Sequence, residues 1–123
     1  MKLHLDSASG QNVFSGYGEG YVAVNGARHT HSVVVLPRAL IPDWPPERFE
    51  SLTAAHFDEL ARMEVEIVLL GTGARLRFPR PDVMRPLIDA RIGVEVMDVQ
   101  AACRTYNILI GEGRKVAAAL ILE

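Results

Sequence analysis

Few residues in this 123-residue chain could do chemistry, and they are scattered, so their neighbourhoods decide what each can do. The single thiol, Cys103, stands near the predicted start of a helix, where the helix dipole lowers a thiol pKa and favours the nucleophilic thiolate. It also lies on the apolar stripe of that helix with Val99, Ala102, Tyr106 and Ile110, and apolar surroundings raise the pKa. An inert core cysteine is the reading the stripe favours. His29 and His31 lie two apart and share one face of any strand that carries them. A zinc site wants three or four ligands, and no Cys or His cluster completes one, so neither metal nor cofactor is expected.

Anion binding is the other chemistry on offer. Gly71, Thr72 and Gly73 follow the apolar run 67–70, and open α/β sheets place ligands at the carboxyl ends of their strands. The Thr72 hydroxyl and the N–H groups of such a turn could hold an anion. Asp98, at a predicted helix start, would form the other wall of that crevice. Arg75, Arg77, Arg80, Arg85 and Arg91 make a basic edge beside the corner that could receive a carboxylate or phosphate. The plainer reading is a solvated arginine face whose stems cover Leu76 and Phe78. There is no Walker lysine, and residues 74–78 alternate like a strand or extended arm.

Asn107 flanks the apolar stripe, where an unpaired amide would cost about 1–3 kcal/mol, so it either ties down a loop or faces a ligand. The tie is favoured. Arg104, on the same helix, points outward or to the rim. Trp44 sits among Pro37, Pro42, Pro45 and Pro46, either as an anchor for that loop or as an aromatic hot spot for a partner. No Ser-His-Asp grouping, CxxC, HExxH or paired-carboxylate pattern stands in the sequence, so a non-enzymatic role is favoured and no enzyme class is assigned.

The elements that must position these residues follow from local patterns. Residues 94–122 read as strand, helix and strand: a β-branched run, Asp98 as N-cap, the apolar stripe, Gly111 and Gly113 as terminators, and a run too apolar for a half-exposed strand. Residues 67–70 and 94–97 read as further buried strands. Asn25-Gly26 fits a type I′ turn, with a return strand expected from about Arg28 to Leu36. Residues 2–5 alternate and could add an edge strand. The glycines at 16, 18 and 20 lead into a strand rather than a helix, so a mobile loop or bulged edge is expected there rather than a phosphate cradle. Helices are expected near 53–63, with Phe57, Leu60 and Ala61 inward, and from Pro81, with Leu87, Ile88 and Ile92 facing the sheet and Gly93 as the stop. With a net charge of −2 and a pI near 6.1, no global field attracts nucleic acid. No stretch reaches the ~20 apolar residues needed to cross a bilayer, and no secretory signal is evident, so a soluble cytoplasmic protein is expected.

In order, GYGEGYVAVNG, the segment 37–44, VLLGTGARLRFP and GVEVMDVQAACRTYNILIGEGRKVAAALIL resemble a small domain-of-unknown-function family. It includes the mitochondrial respiratory complex I assembly factor 3 and the adipogenesis-associated proteins of similar length. The chain departs from the family pattern at Val99, where a threonine would follow the aspartate. The resemblance implies a single three-layer α/β domain, with a mixed central sheet, helices on one face and an N-terminal β-hairpin layer on the other. It also implies a non-enzymatic factor that binds protein partners during assembly of a membrane complex, without inserting into the membrane, peripheral to the inner membrane through a partner.

Two functions are thus set against each other. One is an interaction or assembly factor. The other is a small-ligand (anion) binder or enzyme using the crevice between Gly71, Thr72, Gly73 and Asp98. The oligomeric state is left open.

Overall fold

A computed structural model describes residues 10–123, and the alternating stretch at 2–5 lies outside them. The element order is β1 (Phe14–Gly18), β2 (Tyr21–Val24), β3 (Ala27–His29), β4 (Val33–Leu36), β5 (Ala39–Ile41), α1 (Ala54–Ala61), β6 (Ile67–Gly71), α2 (Pro81–Asp89), β7 (Gly93–Met97), α3 (Val99–Gly111) and β8 (Val116–Leu120). β1, β2 and β3 form a three-stranded antiparallel sheet, and the central sheet has the order β5-β4-β8-β6-β7. β8 pairs parallel with β6 and antiparallel with β4, so the sheet is mixed. As its unbroken apolar run requires, β8 is central and buried along its whole length.

The three layers follow from the strand pleat. Val34, Val68, Leu70, Ala117, Ala119 and Ile121 point to one face and pack with Phe57 and Leu60 of α1 and Val83 and Leu87 of α2. Val33, Val35, Leu69, Ala118 and Leu120 point to the other, where they meet Ala102, Cys103 and Tyr106 of α3 and Phe14, Tyr17 and Val22 of the N-terminal sheet. The expected layering is present in a refined form: α1 and α2 share one face, while α3 lies with the N-terminal strands on the other.

Local chemistry explains most boundaries. Asn25 and Gly26 both have positive φ, 50° and 87°, as a type I′ turn demands, and β2 pairs with β3 across them. Asp98 caps α3 by accepting from Ala101 N–H at 2.9 Å. Gly113, at φ 75°, ends α3, with its N–H on Ile110 O and Arg114 N–H on Leu109 O.

Five expectations are corrected. The return strand does not run to Leu36; it stops at His29, and the chain crosses to the other sheet. There Ser32 accepts from Trp44 N–H through its carbonyl and from Leu122 N–H through its hydroxyl, which commits Val33 onward to β8. Residues 74–78 form a turn and an irregular stretch rather than a strand, because Arg77 N–H and Arg75 O are both taken by the Thr72 hydroxyl. Ile88 is 57% exposed and faces away from the sheet, and Arg91, not Gly93, is the left-handed residue after α2, at φ 60°. β7 is an edge strand, with Glu95 exposed, rather than a buried one.

Asn107 is the tie the sequence favoured. Its side chain donates to Phe14 O and accepts from Phe14 N–H, both at 2.9 Å and both buried. The amide thereby stands in for a neighbouring strand along β1. Replacing Asn107 by Ala strands both Phe14 groups and leaves a small void, and is expected to lower stability by about 2–4 kcal/mol in urea unfolding. Asn107→Asp, which cannot donate to Phe14 O, should not restore it. A loss under about 1 kcal/mol would show that β1 is held by other contacts.

A second expectation concerns pH. Thr53 N–H donates to His56 Nδ1 at 3.1 Å at the start of α1, which requires that nitrogen unprotonated. Burial lowers the His56 pKa from its ordinary value, against a smaller upward pull from Glu59. With the folded pKa below the unfolded one, the His56 contribution is intact above the unfolded value and is lost as pH falls through the folded one. Melting temperature should therefore drop between pH 7.5 and pH 5, and His56→Gln should shrink the drop; an identical pH profile for the variant would refute this role.

Candidate functional site

The glycine corner lies where the carboxyl ends of β6, β7 and β8 meet the start of α3. Three backbone bonds lock it: Thr72 N–H to Met97 O at 2.9 Å, Val99 N–H to Gly73 O at 2.9 Å, and Ile121 N–H to Gly71 O at 2.8 Å. Both glycines are required by geometry. A Cβ on Gly71 would stand 2.7 Å from Leu120 Cδ2 and 3.2 Å from Val99 Cα. Gly73 has φ 86°, and a Cβ there would meet Arg77 Nη2 at 2.9 Å.

Thr72 is buried, and its hydroxyl is spent inside the corner. It donates to Arg75 O at 2.8 Å and accepts from Arg77 N–H at 3.0 Å. Arg77 donates to Thr72 O at 2.6 Å, forms an ion pair with Glu123 and lies 3.6 Å from Glu50. Its guanidinium also covers the Phe49 ring at 4.8 Å. Burial opposes the charge on Glu123, but the bonds it accepts from Phe49 N–H and Arg77 outweigh that and hold its carboxyl below the ordinary range.

Beside the corner opens a cleft of about 390 Å³ lined by Glu19 and Gly20 from the β1–β2 turn, Gly73, Asp98, Gln100 and Glu123, among others. Its ionisable lining is acidic, and Asp98 already serves α3 as its cap. Arg77, the cation closest to it in the corner, is engaged with two carboxylates.

The residues singled out in the sequence fall into separate places. Gly71, Thr72, Gly73, Asp98 and Arg77 converge at the corner. Arg75 is exposed on the turn beyond it. Arg104 lies elsewhere on α3, donating to Tyr17 OH at 3.0 Å, and Asn107 is the tie to β1. Trp44 is 2% exposed and packs edge-on to His56, with ring centroids 6.0 Å apart, so its indole is not a surface aromatic. Cys103 is fully buried, and burial pushes its thiol up to about 12. The residues that sequence reasoning missed are Glu19, Gln100 and Glu123. The one available signal was the glycine-rich run, whose turn reaches the cleft.

A family model described as a protein of unknown function (DUF498/DUF598) matches residues 14–121. The chain belongs to this family. Among solved structures, this family member is similar to a Bordetella parapertussis protein, with a TM-score of 0.86 and 40% identity, covering 92% of this chain and 97% of that one. It is also similar to a Mth938-like domain from Bordetella pertussis, with a TM-score of 0.81 and 36% identity, covering 99% of this chain and 92% of that one. A bovine relative named NADH dehydrogenase (ubiquinone) 1 alpha subcomplex assembly factor 3 is 35% identical over 123 residues, 98% of this chain. The chain spans 61% of that relative's length.

The corner makes a quantitative expectation. Gly20 has φ 73° with nothing near a built Cβ, so Gly20→Ala should cost only the backbone strain, about 1–2 kcal/mol. Gly73→Ala adds crowding against Arg77 and should cost more in the same urea series. Equal losses would show that Arg77 yields freely and that the close approach is not needed.

Proposed function

We propose that this protein is a non-enzymatic factor that binds protein partners during assembly of a respiratory membrane complex. The observation that carries the reading is the similarity, over 98% of the chain, to a protein named as an assembly factor of NADH dehydrogenase. The site geometry is in keeping with it. Thr72, Arg77 and Asn107 are committed to holding the chain together, and Cys103 is buried with its thiol pKa raised. No helix among the described residues is long and apolar enough to cross a membrane. Contact with the membrane complex would then come through partner subunits, from a cytoplasmic position peripheral to the inner membrane.

Deleting the gene in the native cell should reduce the fully assembled NADH dehydrogenase complex on native gels and leave subassemblies behind. Reintroducing the wild-type gene should reverse both effects. An unchanged amount and rate of assembly in the deletion strain would overturn the proposal.

A further inference from the structure

β7 ends the central sheet, and among the described residues no strand covers its outer side. The register fixes which groups are open. Gly93 N–H donates to Glu66 O and Met97 O accepts from Thr72 N–H, each at 2.9 Å, so the N–H and C=O groups of Gly93, Glu95 and Met97 turn toward β6. Those of Val94 and Val96 therefore turn outward, giving two donors and two acceptors on the open edge. No proline, bulge or lysine interrupts residues 93–97, and the one charge on the strand is Glu95.

The two faces beside this edge differ. Val94 and Val96 point to the α2 side, where they are partly buried. In α2, Val83 and Leu87 face inward, while Asp82, Arg85, Pro86 and Asp89 line the groove shared with α1. Helical spacing then puts Met84 and Ile88 on the flank away from α1, above the β7 edge. Ile88 is 57% exposed there, so the edge has an apolar shelf on that side. Glu95, exposed, stands on the other side.

We propose that the open edge of β7 receives an extended strand of a partner protein, with apolar side chains under Met84 and Ile88 and a basic side chain opposite Glu95. The inference rests on the partner-binding reading above. Backbone pairing supplies affinity in such strand addition, and the alternating side chains supply selectivity. Charge argues against a second copy of this chain. The antiparallel two-fold pairing that uses all four outward groups sets Val94 against Val96 of the other copy and Glu95 against its own counterpart. Like charges directly opposite in a non-hydrogen-bonded pair repel.

The test is an NMR titration of the isotopically labelled protein with two synthetic blocked peptides of about seven residues. One alternates valine with arginine and the other valine with glutamate. The arginine peptide should shift Met84, Ile88 and residues 94–96 and slow exchange of the Val94 and Val96 amides. The glutamate peptide should bind about three- to tenfold more weakly, as expected for exchanging a favourable cross-strand charge pair for an unfavourable one. Glu95→Lys should reverse the preference. Val94→Pro removes an outward donor, leaves the bonds to β6 in place and should abolish the response; if that variant does not fold, the charge reversal carries the test. Absence of shifts at β7 at millimolar peptide, equal binding of both peptides, or self-association through β7 in sedimentation would overturn the proposal. Val94→Pro cells that assemble the complex normally would also sink the edge while sparing the assembly role. Normal assembly in the deletion strain would remove that role and leave the peptide result standing.

Discussion

The bond pair between Asn107 and Phe14 is the constraint on which the layered structure depends. β1 belongs to a separate three-stranded sheet that shares no ladder with the central one. Without a directional link, that small sheet would be held over α3 by apolar contact alone, and apolar contact does not fix orientation. The amide closes one position of β1 as a neighbouring strand would, 93 residues away in sequence. Tyr106, one residue earlier, donates to Asn12 O at 3.0 Å and meets the Phe14 ring edge-on at 5.1 Å. Asn12 in turn donates to Leu36 O and Ala39 O, at the β4–β5 turn. One turn of α3 thus pins the N-terminal layer, which is then clipped to the far edge of the main sheet.

The corner at the other end works by the same economy of polar groups. Its glycines let β8 and α3 approach closely, and the buried Thr72 hydroxyl is satisfied within a few residues. Arg77 then brings in Glu123, Glu50 and Phe49, so the end of β8 and the loop before α1 converge on one guanidinium. A corner that serves as a clamp has little polar capacity left for a ligand. Its position at the strand ends matches where α/β proteins bind small molecules, yet position alone does not make a site.

Local signals were readable in the sequence where a few neighbouring residues decide the outcome. The Asn25-Gly26 turn, the Asp98 cap, the stripe of α3 and the buried run of β8 are of this kind. What could not be read depends on distant partners. Ile88 follows Leu87 on an apolar helix, and only the presence of α1 along the opposite flank decides that Leu87 is buried and Ile88 is not. Residues 94–97 look like 67–70 in composition, but one strand has neighbours on both sides and the other on one. Glu95 within that run was the local hint, since an acid in a fully covered strand would need a partner. The candidate site was legible at the corner itself, in Gly71, Thr72, Gly73, Arg77 and Asp98. Glu19 and Glu123 reach it from opposite parts of the chain and add two carboxylates to the lining of the cleft.

Where the chain has spent its polar groups bears on where it can still act. At the Asn107 tie and at the Asp98 cap, donors and acceptors are matched within the protein; at the corner the Thr72 hydroxyl is matched, while the buried Nε of Arg77 has no hydrogen-bond partner. The edge of β7 is the contrast: its backbone groups point outward beside exposed apolar surface on α2. An unsatisfied edge is a hazard for a protein that works alone, because it templates pairing with other chains. In a protein whose work is to hold another chain, the same edge is the useful part, provided that pairing with its own kind is discouraged. A single acid at the centre of the strand does that without closing the edge to a partner of opposite charge.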